Sequence, residues 1–294
     1  MNIEADTTLN PGKGGLPLNG KSRLAAFLAI VALGLFLVLP GSASAAFLNN
    51  WFIDVDGAGG AAPVLVNQAL DITGPAYIQN NLGLGTFTEF GAFKVVGHDG
   101  GAGVPGTAEL TGTLTATGTV SLGGSISFTG GTVKIFSDAG NDFATTAGIY
   151  GANNGILVGT FSVLPGGGGT VNASGIPNGQ ITALLQSVGG FTPGFFIAPD
   201  GVTNLSSLGL VLGFSTTNAS FTSSPSATVV NEIGCEGFFG VPGPCGGITN
   251  TPPIDLFILA GGQFRVAIPE PSSLMLLGGG LLLVGLLGFG RKKA

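Results

Sequence analysis

Residues 109–122 constrain the fold more tightly than any other stretch of the chain. Leu110, Leu114, Ala116, Val120 and Leu122 hold even positions, with Gly112 and Gly118 between them, while Thr111, Thr113, Thr115, Thr117, Thr119 and Ser121 hold the odd ones. Alternation with a period of two gives a strand one apolar face and one solvated face, and the β-branched threonines favour a pleated backbone. Such a strand must bury its apolar face against further sheet. The style continues through residues 125–129 and 132–137, separated by Gly123-Gly124 and Gly130-Gly131, which predicts an antiparallel meander with glycine turns.

Further strands are predicted over residues 47–54, 64–73, 87–96, 156–164, 195–198, 208–215, 227–233, 256–260 and 263–268. Gly74-Pro75 is read as the stop of the second of these. Within 87–96, Phe87, Phe93 and Val95 share a face with Glu89 and Gly91. Ile181, Leu184, Leu185 and Val188 fall at helical spacing between Pro177-Asn178 and Gly189-Gly190, which predicts one short helix. Many short strands between turns predict an all-β body, a β-sandwich or jelly-roll-like fold. No exact internal repeat supports a solenoid.

Both ends read as processing elements rather than as fold. Lys21 and Arg23 precede an unbroken apolar run from Leu24 to Leu39; Pro40-Gly41 then breaks it, and Ala43-Ser44-Ala45 offers small residues for cleavage before Ala46. This is the pattern of a secretory signal peptide over residues 1–45, to be removed by signal peptidase after passage through the Sec machinery. At the other end, Pro269-Glu270-Pro271 is a stiff, extended segment, because each proline fixes its own φ and biases the residue before it. An apolar run from Leu274 to Phe289 follows, and then Arg291, Lys292 and Lys293. As a helix the run from Ser272 to Gly290 is about 28 Å long, which only just spans a hydrocarbon core of about 30 Å. The basic cluster predicts a cytoplasmic C-terminus, with the body on the other side.

The body, residues 46–267, carries three basic residues, Lys94, Lys134 and Arg265, against twelve acidic ones, a formal charge of −9. Such a body is repelled by nucleic acid and by anionic membrane surfaces. Cys235 and Cys245, the two cysteines of the chain, both fall in the exported part, where an oxidising compartment favours a disulfide. Their spacing fits neither a C-x-x-C redox pair nor a zinc site.

No catalytic constellation stands out, and the sequence reads as that of a non-enzymatic protein. The one histidine, His98, lies beside Asp99 in a Gly-rich stretch, and no Gly-x-Ser-x-Gly elbow is present. Neither do two of the acids pair recognisably for glycoside hydrolysis. Calcium is the one ligand that the pattern supports. Asp54 and Asp56 flank a glycine turn, and Asp138, Asn141 and Asp142 cluster in another; oxygen-rich turns of this kind hold hard cations in extracellular modules, and they also form ordinary Asx turns.

The order Pro269-Glu270-Pro271, short apolar span and terminal basic cluster resembles the PEP-CTERM sorting signal, here residues 268–294. The resemblance implies that a membrane protease-transferase, exosortase, recognises the Pro-Glu-Pro triplet and removes the tail. The protein would then be held only transiently in the inner membrane before release to the cell surface or matrix. Asp54-Val55-Asp56-Gly57-Ala58-Gly59-Gly60 and Thr86-Phe87-Thr88-Glu89-Phe90-Gly91 are also similar to segments of flocculation-associated members of that family. The resemblance therefore implies a role in biofilm or floc, with extracellular polysaccharide as the partner; a carbohydrate- or calcium-binding module and, less well supported, a secreted hydrolase are the alternatives.

Overall fold

The computed structural model describes residues 45–269, apart from 58–61, 102, 105, 190 and 208. Residues 1–44 of the expected signal peptide, the apolar run 274–289, Glu270, Pro271 and the basic residues Arg291, Lys292 and Lys293 lie outside the described residues. Among the described residues no helix is long and apolar enough to cross a membrane.

The body is all-β, and its main sheet is a closed barrel. The strands are β1 (Ala45–Phe47), β2 (Trp51–Ile53), β3 (Val64–Val66), β4 (Leu70–Asn81), β5 (Thr86–His98), β6 (Glu109–Val120), β7 (Ser125–Asp138), β8 (Ile156–Val163), β9 (Gly168–Thr170), β10 (Ile181–Ser187), β11 (Phe196–Ile197), β12 (Val211–Phe221) and β13 (Asp255–Pro269). Eight of them run β4-β5-β6-β7-β8-β10-β12-β13, and β13 pairs back onto β4 to complete the ring. Every pairing is antiparallel. Followed once round from Phe264, the register returns to β13 displaced by about ten residues, so the strands are steeply tilted, as closure of a sheet requires. The all-β body expected from the sequence is found, but as one sheet closed on itself rather than the two packed sheets of a β-sandwich or jelly roll; its opposite walls face each other across a shared apolar interior.

The alternation in β6 explains why this strand belongs to the wall. Leu110 and Ala116 are buried in the interior, whereas Thr115, Thr117 and Thr119 are exposed outside. The two inward glycines have a specific use. Phe93 of β5 pairs with Gly112 and Phe87 with Gly118, and a Cβ on either glycine would overlap the phenylalanine ring beside it. Large and small residues on adjacent strands therefore share one space. At Gly118 the added carbon also meets the Ser127 carbonyl, which cannot move without disturbing β7. Gly118→Ala is expected to lower stability in urea by about 1–3 kcal/mol through overpacking. Thr117→Ala, one position away on the exposed face, should change it by less than about 0.5 kcal/mol.

A second sheet, β11-β2-β3, brings Trp51 and Phe196 to one end of the barrel, with ring centroids 5.9 Å apart. Together with Phe93, Leu110, Ile135 and Phe264 they line a void of only about 10 Å³, so this end is plugged. On the outside, a π-helix, Val229–Phe238, lies against β4 and β5. Ile233 of this helix packs with Tyr77, Phe90 and Phe257 in a separate buried cluster. Tyr77 stacks edge-on against Phe238 and obliquely against Phe257, both at 4.9 Å, and its hydroxyl donates to Asp255 at 3.1 Å. Burial, and then the neighbouring Asp255 carboxylate, push the Tyr77 phenol above its ordinary pKa.

Four sequence expectations are corrected. The predicted helix around Ile181–Val188 is strand β10: Ile181, Ala183 and Leu185 point inward and are buried, while Leu184 stands outward and 43% exposed. Leu184, together with Val188, which is 58% exposed just past the end of the strand, produced the helical spacing. The predicted strand 227–233 leads into the π-helix. Glycine at 234 and 237 lets this helix sit directly on its neighbours, since a Cβ would overlap Ile248 at the first and the Phe90 ring at the second. Gly74-Pro75 does not end a strand but lies inside β4; the ladder to β5 skips these two residues, which spares the missing proline N–H a partner, while β13 pairs with both. The segments 256–260 and 263–268 are a single strand, β13.

Candidate metal centre

The β6–β7 hairpin sets Glu109 directly opposite Asp138. The loop that leaves β7 then turns back and adds Asp142. One carboxylate oxygen from each of Glu109, Asp138 and Asp142 lies within 4.8 Å of the others. Asp138 is 5% exposed; its Oδ1 accepts a hydrogen bond from the Gly140 amide at 2.8 Å, whereas its Oδ2 is buried with no partner among the described residues. A buried carboxylate oxygen left unpaired is costly, and a cation is one way to satisfy it.

The surrounding loop is tied down firmly. Glu109 Oε1 accepts from the Phe143 amide at 2.7 Å, and both oxygens of Asp142 accept from Asn154 Nδ2, at 3.2 and 3.0 Å. Thr111 Oγ1, the one threonine of the outer β6 row that is fully buried, donates to the Ala152 carbonyl at 3.1 Å. Lys94 is the nearest counter-charge, with Nζ 3.7 Å from Glu109 Oε2 and 5.5 Å from the centre of the Phe143 ring.

Of the residues that the sequence marked for a cation, Asp138 and Asp142 converge. Asn141 takes a positive φ of 51° and turns its Nδ2 to the carbonyls of Thr107, at 2.8 Å, and Ala139, at 3.2 Å. Asp54 and Asp56 stay outside the cluster of three. Asp56 accepts from the Thr107 amide and hydroxyl, both at 2.9 Å, and from the Ala108 amide at 2.7 Å. Asp54 Oδ1 accepts from the Asp56 amide at 3.1 Å, and burial, opposed in part by that bond, raises its carboxyl above the usual range. The two acidic turns nevertheless adjoin, since Asp56 and Asn141 both hold Thr107. Glu109 was the residue missed from sequence. It lies far from Asp138 along the chain, and only the hairpin register reveals it.

The remaining candidates have structural partners. Cys235 and Cys245 form a disulfide, with Cα atoms 5.5 Å apart. His98 is the last residue of β5, and its Nδ1 is 3.1 Å from Asp99 Oδ2. Asp99 accepts from the amides of Asn67 and Gln68, both at 2.7 Å, and Ala69 at 3.1 Å. Burial alone would raise the Asp99 carboxyl, but these bonds and the one to His98 outweigh it and hold the pKa down to about 2. Pro269, the first residue of the Pro-Glu-Pro triplet, is the last residue of β13 and pairs with Ala45.

The chain matches no known protein family, no curated protein and no solved structure.

Three carboxylates in a partly buried turn are hard oxygen donors. They suit calcium, which takes six to eight oxygens and leaves room for backbone carbonyls and water. They offer neither the nitrogen nor the sulfur ligands that zinc prefers.

Proposed function

We propose that this is an exported, non-enzymatic protein of the cell surface or extracellular matrix, delivered through a signal peptide and a PEP-CTERM-type tail and associated with exopolysaccharide. The observation that carries the reading is the sequence of the tail, Pro269-Glu270-Pro271 followed by a minimal apolar span and Arg291, Lys292 and Lys293. The Cys235–Cys245 bond supports it, because disulfides persist in oxidising, extracytoplasmic compartments. So does the strand pairing at the two processing points. Ala46 lies opposite Ile268, so the end left by signal peptidase stays attached to the strand that leads into the triplet. In cells with active exosortase, mass spectrometry of the mature protein should find an N-terminus at Ala46 and no peptide from Arg291 to Ala294. Recovery of that basic tail from such cells would overturn the reading.

A second reading, a calcium-binding module, draws on the unpaired Asp138 Oδ2. If Glu109, Asp138 and Asp142 hold the ion with the weak affinity usual for extracellular modules, 10 mM calcium stabilises the fold by about 1–3 kcal/mol. The melting temperature should then rise with calcium, return with EDTA, and not respond in Asp138→Asn. In polysaccharide pull-downs, EDTA separates the two readings: retention without calcium supports direct contact with sugars, and loss supports a bridging cation.

A further inference from the structure

The interior of the barrel encloses a cavity of about 90 Å³. Eight strands make a barrel whose interior side chains can just fill, unless the inward residues are small. Here Ala76, Gly91, Ala183, Ala219 and Ala260 line the space, and the wall is otherwise apolar. Three polar side chains break that pattern: Asn80, whose Nδ2 donates to the Pro253 carbonyl at 2.6 Å, Glu89 and Thr216. Glu89, on β5, is the one ionisable side chain among the described residues that line the cavity, and it has no hydrogen-bond or ion-pair partner among the described residues. Thr216, on β12, is 6% exposed, and its Oγ1 is buried without a partner among the described residues. Thr216 comes just before a bulge in the β12–β13 ladder, between Thr216 and Asn218, after which the inward positions shift to Ala219. Bulges re-aim side chains in this way beside binding sites.

A carboxyl and a hydroxyl placed without partners in an apolar enclosure are costly to keep. Nothing in the packing demands either of them. Their chemistry matches a molecule with an aliphatic body for the alanine-lined wall and a head group that donates hydrogen bonds. The space is smaller than the roughly 150 Å³ apolar cavity that accepts benzene, which limits the body to roughly four or five carbons. We propose that the barrel interior is a binding site for a small aliphatic amine or alcohol, with Glu89 accepting a hydrogen bond from the head group and Thr216 offering a second polar contact.

The probes are n-butylamine, n-butanol and n-pentane, titrated into the purified, disulfide-bonded protein and followed by amide NMR shifts of β5, β10 and β12. Both polar probes should bind, and pentane at least tenfold more weakly. Glu89→Gln should weaken butylamine tenfold or more, Thr216→Val should weaken butanol, and Ala183→Leu, which fills the space, should block all three. Because the Glu89 carboxyl titrates at about pH 7, with no other ionisable group among the described residues that line the cavity, butylamine should also bind more tightly at pH 8 than at pH 5, and butanol should not. The proposal is overturned if pentane binds as well as the polar probes, if the variants bind unchanged, or if no probe shifts these strands and a diffraction map shows the cavity holding water alone.

Discussion

Replacing Glu89 by Gln removes about 3 kcal/mol of pH dependence from the stability of this protein. Burial inside the barrel raises the Glu89 carboxyl from 4.5 to about 7. Between those values the folded protein keeps a proton that the unfolded chain releases. The Glu89 contribution to stability is therefore greatest below pH 4.5, falls as pH rises, and levels off above pH 7, where the carboxylate is ionised in both states. Glutamine resembles the neutral acid in shape and does not titrate. Urea unfolding at pH 4.5 and pH 8 checks the expectation: wild type should lose about 3 kcal/mol more than Glu89→Gln between the two. Equal losses would mean that the carboxyl reaches solvent. The two ends of the range must be compared within each protein, since Asp99 adds an acid-side loss of its own below the ordinary carboxylate pKa, common to both.

Reducing the disulfide, or replacing both cysteines in Cys235→Ser/Cys245→Ser, is expected to cost about 3 kcal/mol, the loop-closure entropy for a bridge of this span. The loss should be local before it is global. Cys235 is fully buried within the π-helix, and the Cys245 amide donates to its sulfur at 3.0 Å, so the bridge fastens residues 239–250 to the helix that covers Tyr77 and Phe90. Hydrogen exchange should rise first in residues 229–248, while β8 and β10, across the ring from β4 and β5, keep their protection. Uniform loss of protection would show that the helix and the barrel unfold as one unit.

What the sequence made legible was the wall, and above all β6 and its turn into β7, because an antiparallel strand with one face in solvent writes its burial as alternation. Closure of the ring was not legible. It depends on β13 pairing with β4, two strands almost two hundred residues apart, and no local pattern encodes that contact. The π-helix was hidden for a different reason. Val229, Val230 and Ile233 carry strong strand propensity, and packing on Tyr77, Phe90 and Phe257 overrides it. The metal candidate was half visible. Asp138 and Asp142 lie close in sequence, whereas Glu109 joins them only through the hairpin register. Glu89 was visible as a charge on an apolar face of a predicted strand; its meaning appeared only once that face proved to be the inside of a barrel.

The ring also governs how copies of this protein can live together. Each of its eight strands already spends its backbone hydrogen bonds on two neighbours, so a crowded deposit of these molecules gives fibril growth no main-chain template along the wall. Cohesion in such a deposit has to come from side chains, among them the outward rungs Thr115, Thr117 and Thr119, and it can be undone by washing rather than by unfolding.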